Sequence, residues 1–247
     1  MNNKIRVGAV SYLNAKPLVY GFEKGMMKDE LILSFEYPSK IASQLINDEI
    51  DIGLVPVAAL QELKDFHLVS DFCIGADNEV ASVCLFSDVP LTEIENVLLD
   101  YQSRTSVLLL QVLLKEQWKL SPKLTVAESG YESLIEGNTA GLVIGDRAFI
   151  QRKKSKYSYD LAAAWKELTG LPFVFATWVS NKSLDPSFVN NFNIVTAEGL
   201  KHLQEISSSI QYPEYDLLKY YSENINYDFD SLKKEALELF LNKAASI

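Results

Sequence analysis

The polar side chains that could most clearly bind a ligand or take part in a reaction form one run at positions 100–106, Asp-Tyr-Gln-Ser-Arg-Thr-Ser. An apolar stretch follows this run and predicts a helix, whose N-terminus would offer free N–H groups and the positive end of the helix dipole to an anion. A carboxylate is the simplest such ligand, because the run is not a glycine-rich phosphate loop. Ordinary N-capping by Thr105 or Ser106 is the alternative interpretation. The candidate anion ligands are Ser103, Arg104, Thr105 and Ser106.

A second polar loop, residues 11–17, follows the first predicted strand. It contains Ser11 and Asn14, and the Asn14 amide can both donate and accept hydrogen bonds. A helix cap or Asx-turn before Pro17 is the competing interpretation. The loop is therefore a candidate ligand contact, with Asn14 as its most versatile side chain.

Three further loops also follow predicted strands. Residues 53–58 carry few polar side chains, which favours a packing role. Ser82 lies within a β run, and no His-Asp partners are evident that would make it a nucleophile. Gly145 would permit close backbone approach to a ligand, whereas Asp146 and Arg147 could either face the ligand or pair with each other.

Composition argues against several classes of partner. The formal net charge is −10, and binding to a nucleic acid duplex needs clustered Lys and Arg, so no nucleic-acid partner is expected. The basic cluster at 151–156 is typical of a solvated face or loop. Cys73 and Cys84 fit no metal motif, and with only His67 and His202 present a histidine-ligated metal is not expected.

The N-terminal residues lead directly into a strand-like run. No signal peptide is recognisable, and no apolar run reaches membrane-spanning length. The sequence therefore predicts a cytoplasmic protein without a membrane partner. It leaves the oligomeric state open.

Strand and helix signals alternate along the chain in two series, which predicts an α/β fold with parallel βαβ units. Residues 159–168 and 188–206 are among the predicted helices. Extended runs between the series suggest two lobes, a central cleft and two crossing connections, near Pro90 and Ser180. Lobe one would comprise residues 1–90 plus 180–247, and lobe two residues 91–179. Ligands of open α/β sheets bind beyond the carboxyl ends of the strands, so the polar loops would meet in this cleft.

The chain resembles the chorismate dehydratase family of the futalosine route to menaquinone. The resemblance rests on motifs that occur in order between about residues 5 and 180. They are Ser11-Tyr12-Leu13-Asn14 with Pro17, Gly53-Leu54-Val55-Pro56, residues 100–106 (Asp-Tyr-Gln-Ser-Arg-Thr-Ser), Val143-Ile144-Gly145-Asp146-Arg147 and residues 165–173 (Trp-Lys-Glu-Leu-Thr-Gly-Leu-Pro-Phe). The last ~65 residues carry no comparable signature.

This resemblance implies a type II periplasmic-binding-protein fold in a cytoplasmic enzyme. It implies the conversion of chorismate to 3-[(1-carboxyvinyl)oxy]benzoate and water, a hydro-lyase reaction, with chorismate as the small-molecule substrate. It also implies that Asn14 and Ser82 belong to the catalytic site. Because the product ring is aromatic, neither a cofactor nor a metal is required. The cleft loops contain no histidine base, so Asp146, Glu79 or the substrate's own enolpyruvyl carboxylate would take the proton.

Three other functions remain open at this level. The sister family that makes 1,4-dihydroxy-6-naphthoate is similar in fold but tends to carry a Ser-Pro-Asn-Asp-type first loop and a cleft histidine, which this chain lacks. A non-catalytic binding protein for small carboxylates would use the same fold. A ligand-sensing regulatory domain would usually carry a DNA-binding segment, and none is readable.

Overall fold

The computed structural model describes residues 4–247, which form two α/β lobes on either side of a cleft. The first sheet has six strands in the order β11-β4-β10-β3-β1-β2, and the second has five in the order β7-β6-β8-β5-β9. The strands are β1 (Ile5–Val10), β2 (Leu31–Glu36), β3 (Ile52–Pro56), β4 (His67–Ala76), β5 (Val83–Ser87), β6 (Asn96–Leu99), β7 (Lys123–Val126), β8 (Thr139–Ile144), β9 (Tyr157–Asp160), β10 (Phe173–Ser180) and β11 (Asn226–Asp228).

Nine α-helices surround the sheets among the described residues 4–247. None of them is both long and apolar enough to span a bilayer. The helices are α1 (Lys16–Glu23), α2 (Pro38–Ile46), α3 (Thr105–Val112), α4 (Asp146–Arg152), α5 (Leu161–Thr169), α6 (Pro186–Glu198), α7 (Leu203–Ser209), α8 (Leu217–Lys219) and α9 (Ser231–Ala244).

The apolar strands form the centres of both sheets. In the first sheet β1 pairs in parallel with β2 and β3, while β10 is antiparallel to β3 and β4. In the second sheet β6 is parallel to β7 and β8, and β5 is antiparallel to β8 and β9. Every residue of β3, β5 and β10 is buried, as expected for strands covered on both faces. The predicted two-lobed α/β fold with two crossings is confirmed.

The crossings lie earlier in the chain than predicted. The boundaries at residues 90 and 180 would place β5 in the first lobe and β10 in the second, but β5 pairs within the second sheet and β10 within the first. The chain therefore crosses at about residues 77–82 and 170–172. Both strands are uniformly apolar, so their sequences indicate burial without indicating which sheet they join.

Two predicted helices also differ from the structure. Residues 159–168 were expected to be helical, but Asp160 ends β9 and its carboxylate caps α5 through the N–H groups of Ala162 and Ala163. The helix predicted at 188–206 is interrupted at Gly199, where α1 approaches so closely that a Cβ would lie 2.0 Å from the Pro17 carbonyl oxygen. Pairing of β9 with β5 and the local cap at Asp160 therefore set the first boundary, and the approach of α1 accompanies the second.

Candidate functional site

The cleft between the lobes is the candidate functional site. It holds about 480 Å³ free of protein atoms, its open mouth included. All five predicted loops contribute to it. The polar lining residues are Tyr12, Asn14, Ser103, Thr105, Ser106 and Gly145, and the apolar ones are Val10, Pro38, Pro56, Ile74, Val80, Val83, Ile144, Phe175 and Ala176.

The structure brings some of the candidate residues to the cleft and leaves others behind its walls. Five of them line it: Asn14, Ser103, Thr105, Ser106 and Gly145. The lining described in the structure does not include Ser11, Ser82, Arg104 or Asp146. Ser11 is exposed and Ser82 is fully buried. The contacts of the remaining residues explain what each does instead.

The start of α3 forms the polar end of the cleft. The Ser103 hydroxyl accepts the Ser106 N–H at 3.0 Å, so it caps the first turn. The Thr105 hydroxyl accepts the Ala58 N–H at 3.1 Å and donates to the Phe175 carbonyl at 3.3 Å. Because Ala58 and Phe175 belong to the first lobe, Thr105 joins the two lobes. The helix N-terminus and its hydroxyls remain suited to an anion.

Arg104 contacts the first lobe and not the cleft lining. Its guanidinium pairs with Glu62 and donates to the Ser43 hydroxyl at 3.1 Å. The Glu62 side chain is half exposed, so this pair contributes little to stability by itself. In this structure Arg104 therefore contacts both lobes and is not among the described lining residues of the cleft.

Arg147 anchors a second polar network beside the cleft. Its guanidinium contacts the Asp100 carboxylate at 2.6 Å and Glu132 at 2.7 Å, so it does not pair with Asp146. Burial opposes the charge on Arg147, but the Asp100 carboxylate raises its pKa, which keeps it a cation. Arg147 also donates to the Gln102 side-chain oxygen at 3.1 Å, which accepts the Tyr12 hydroxyl as well. This network fixes Tyr12 across the cleft.

Gly145 occupies a position that only glycine fits comfortably. Its φ of 62° lies in the left-handed region, and a Cβ there would lie 3.0 Å from the Tyr12 ring. Its N–H donates to the Ser82 carbonyl at 2.8 Å. The predicted close backbone approach is therefore to Tyr12, whose ring covers Gly145 at the cleft wall.

Asp146 lies behind the cleft wall and bridges the lobes. Its carboxylate accepts the Leu13 N–H at 3.1 Å, and its carbonyl oxygen accepts the Tyr212 hydroxyl at 2.7 Å. Burial raises the pKa of Asp146 to about 6, against the opposing effects of the Leu13 N–H and the Arg147 charge. The other carboxylate considered as a base, Glu79, is exposed.

Sequence reasoning missed the tyrosines of the C-terminal segment. The Tyr220 hydroxyl donates to the Ser82 hydroxyl at 2.6 Å, and the Tyr227 hydroxyl donates to the Asn14 carbonyl at 3.0 Å. These contacts join residues 138 and 213 positions apart in the chain. The only available signal was the density of tyrosines at 212–227, because a buried tyrosine hydroxyl usually has a partner.

The Asn14 side chain has an unpaired acceptor at the cleft wall. Its Oδ1 is buried and has no hydrogen-bond partner among residues 4–247. Leaving a buried acceptor unpaired costs about 1–3 kcal/mol, which a ligand donor would recover. Over the same residues, no cluster of His, Cys, Asp and Glu could hold a metal ion.

Comparisons with known proteins agree with this geometry. A family model described as menaquinone biosynthesis matches residues 5–246. A chorismate dehydratase of Thermus thermophilus is 28% identical over 228 residues, covering 82% of this chain and 83% of that protein. A chorismate dehydratase of Campylobacter jejuni is 25% identical over 248 residues, covering 97% of each.

A solved structure supports the fold. A Candida albicans protein, described as exhibiting the generic periplasmic binding protein fold, is similar with a TM-score of 0.62 and 14% identity. The match covers 99% of this chain and 91% of that chain. The periplasmic-binding-protein fold predicted from the sequence is thereby confirmed.

Replacing Gly145 tests its contact with Tyr12. Gly145→Ala should lower the free energy of unfolding by about 2–4 kcal/mol, because backbone strain and the Tyr12 clash add together. Gly137→Ala is the matched control: its φ is 56° and no atom lies within 4 Å of the added Cβ, so strain alone should cost about 1–2 kcal/mol. Urea unfolding measures both. Equal losses would contradict the contact with Tyr12.

The raised pKa of Asp146 predicts a pH-dependent stability. The folded protein favours the protonated carboxyl, with a pKa of about 6 against about 4 when unfolded. The stability that the protonated Asp146 carboxyl contributes is fully present below pH 4 and is lost as the pH rises to about 6. The free energy of unfolding falls by about 3 kcal/mol over this range. Urea unfolding between pH 4 and 7 should show this decline in the wild type and a smaller one in Asp146→Asn. If the stability of the wild type and of Asp146→Asn changed in parallel with pH, the raised pKa of Asp146 would be contradicted.

Proposed function

We propose that this chain, which belongs to the menaquinone biosynthesis family, is a hydro-lyase that converts chorismate to 3-[(1-carboxyvinyl)oxy]benzoate and water. The two relatives reported above are chorismate dehydratases, and each match covers at least 82% of this chain. The observation that carries the proposal is that the motif loops around Asn14, Ser103 and Gly145 all line one cleft.

The reaction matches what the cleft offers. Chorismate carries two carboxylates, and elimination removes the ring hydroxyl and one ring hydrogen, which leave together as water while the ring becomes aromatic. The hydrogen lies on the saturated ring carbon next to one end of a diene conjugated to the ring carboxylate, so negative charge spreads toward that carboxylate as the C–H bond breaks. Hydrogen-bond donors at the carboxylate would stabilise this charge.

The start of α3 would hold one substrate carboxylate. Ser103, Thr105 and Ser106 line the cleft at the N-terminus of α3, where the Ser106 N–H already donates to the Ser103 hydroxyl. The hydroxyl hydrogens of Ser103 and Ser106 and the positive end of the helix dipole would therefore meet the carboxylate. The described lining includes no Lys or Arg, so these neutral donors and the helix dipole would carry the recognition. Phe175 and Ile74 supply apolar surface for the ring.

A substrate carboxylate is the proton acceptor that the geometry favours. Asp146 is absent from the described lining and its carboxylate accepts the Leu13 N–H, while Glu79 is exposed. The enolpyruvyl carboxylate of chorismate would therefore take the ring proton. Asn14 would orient the substrate and the leaving hydroxyl, since its unpaired Oδ1 lies at the cleft wall.

Incubation with chorismate tests the activity and separates it from its rivals. The expected product is the substituted benzoate, identified by chromatography and mass spectrometry. Binding of chorismate without product, at enzyme concentrations comparable to the substrate, would instead indicate a non-catalytic binding protein. If chorismate neither bound nor reacted, the dehydratase proposal would be refuted.

Asn14→Ala should lower kcat by about 100-fold or more, because a preorganised polar group at the reacting centre is worth that much. Steady-state kinetics with chorismate measure the effect, and thermal unfolding checks that the variant folds. Asn190→Ala, at an exposed position on α6, is the control and should retain wild-type turnover. Near-full turnover by folded Asn14→Ala would contradict the assignment.

Asp146→Asn distinguishes the two kinds of base. With the substrate as base, this variant should keep kcat within about tenfold of the wild type and show the same pH profile. If Asp146 were the base, kcat/KM of the wild type would rise as the pH passes about 6, and the variant would lose both the rise and most of its turnover. Rate profiles between pH 5 and 8, with Glu79→Gln in parallel, decide between them.

A further inference from the structure

One hydrogen bond between side chains ties together two of the loops that line the cleft. The Tyr12 hydroxyl donates to the side-chain oxygen of Gln102. Tyr12 lies two residues before Asn14, in the loop that follows β1 of the first sheet. Gln102 lies directly before Ser103, in the loop that follows β6 of the second sheet. The bond therefore joins the loop that brings Asn14 to the cleft with the loop that brings Ser103 there.

Arg147 fixes the direction of this hydrogen bond. Its guanidinium donates to the Gln102 Oε1 at 3.1 Å, and because an arginine carries only donors, the Gln102 atom at that position must be the amide oxygen. Arg147 is itself held within the second lobe by Asp100 and Glu132. Burial raises the pKa of Tyr12 and keeps its phenol protonated. The Tyr12 hydroxyl therefore donates to an acceptor that the second lobe has oriented.

The same stretch of the first lobe makes two further contacts with the second lobe. A Cβ added to Gly145 would lie 3.0 Å from the Tyr12 ring, so the ring lies close against the Gly145 backbone. The Leu13 N–H donates to the Asp146 carboxylate at 3.1 Å. Tyr12 and Leu13 thus hold the second lobe at three neighbouring points, and protein groups alone make all three contacts.

Two backbone N–H groups of the first lobe also donate across the cleft, away from Tyr12. The Ser39 N–H donates to the Gln102 carbonyl at 3.3 Å, and the Ala58 N–H donates to the Thr105 hydroxyl at 3.1 Å. Each bond involves a lining residue or the neighbour of one. The cleft is therefore bordered by contacts that break together when the lobes separate.

We propose that the contact between the Tyr12 hydroxyl and Gln102 is a latch: it holds the two lobes together, and a ligand enters or leaves the cleft only when it breaks. Because all of its groups belong to the protein, the latch stabilises the closed lobes equally with and without a ligand. Its loss should therefore speed ligand entry and exit by the same factor and leave the affinity unchanged. The ligand used to test this rests on the proposed function.

Hydrogen exchange of the cross-lobe amides tests the latch without any ligand. Tyr12→Phe should accelerate exchange of the Ser39 and Ala58 amides by about 3- to 10-fold, because one neutral hydrogen bond is worth about that much. The two amides should accelerate equally, since one opening exposes both. The Asp51 N–H, which donates to the Arg6 carbonyl within the first lobe, should exchange at its wild-type rate. Unchanged exchange at Ser39 and Ala58 would overturn the proposal.

Tyr101→Phe is the matched control variant. The Tyr101 hydroxyl accepts the Gln102 Nε2 at 2.8 Å, but both residues belong to the second lobe, so exchange of the Ser39 and Ala58 amides should stay at the wild-type rate. Gln102→Leu removes the acceptor and should accelerate these amides at least as much as Tyr12→Phe. Adding Tyr12→Phe to Gln102→Leu should then change exchange by less than about twofold. An undiminished effect of Tyr12→Phe in that background would overturn the latch.

Stopped-flow binding of the proposed product, 3-[(1-carboxyvinyl)oxy]benzoate, tests ligand entry. Tyr12→Phe should raise the association and dissociation rates by about 3- to 10-fold each and keep Kd within about twofold, while Tyr101→Phe should change neither rate. Wild-type rates in Tyr12→Phe, or a changed Kd at an unchanged association rate, would overturn the proposal. If the benzoate bound to no variant and not to the wild type, the proposed function would be refuted, and amide exchange would still decide whether the latch exists.

Discussion

The exchange of strands between the lobes is the constraint on which the rest of this structure depends. The strand β5 belongs to the second sheet, although all strands before it in the chain belong to the first sheet. The strand β10 follows the strands of the second sheet in the chain but lies at the centre of the first sheet. Two connections therefore join the lobes, and the loops at the strand ends line the cleft between them.

Cross-lobe hydrogen bonds then set the shape of the cleft. Thr105 joins the Ala58 N–H and the Phe175 carbonyl, and Asp146 accepts the Leu13 N–H. Each bond comes from a residue that either lines the cleft or lies beside one that does. Because these groups are buried or half-buried, separating the lobes would break their hydrogen bonds and expose them to water. Closure of the lobes and the geometry of the site are therefore coupled.

The two arginines near the cleft form ion pairs within the protein and do not line the cleft. Arg104 pairs with Glu62, and Arg147 pairs with Asp100 and Glu132. A chain with a net charge of −10 can still receive an anion if donors are gathered locally, and the start of α3 gathers them. The proposed recognition by neutral donors would let them stabilise charge that develops during a reaction, because no fixed ion pair would have to break.

The sequence by itself determined most strands, most helices and the loops that reach the cleft. Alternation of apolar and polar residues is a local property, and so is the polar run before an apolar helix at Ser103. Only the tertiary structure decided which sheet β5 and β10 join, because a uniformly apolar strand suits either one. It also decided that Arg104 faces Glu62 and that the Tyr220 hydroxyl contacts Ser82. Those contacts join residues far apart in the chain, and side-chain direction follows from packing, which no local pattern records.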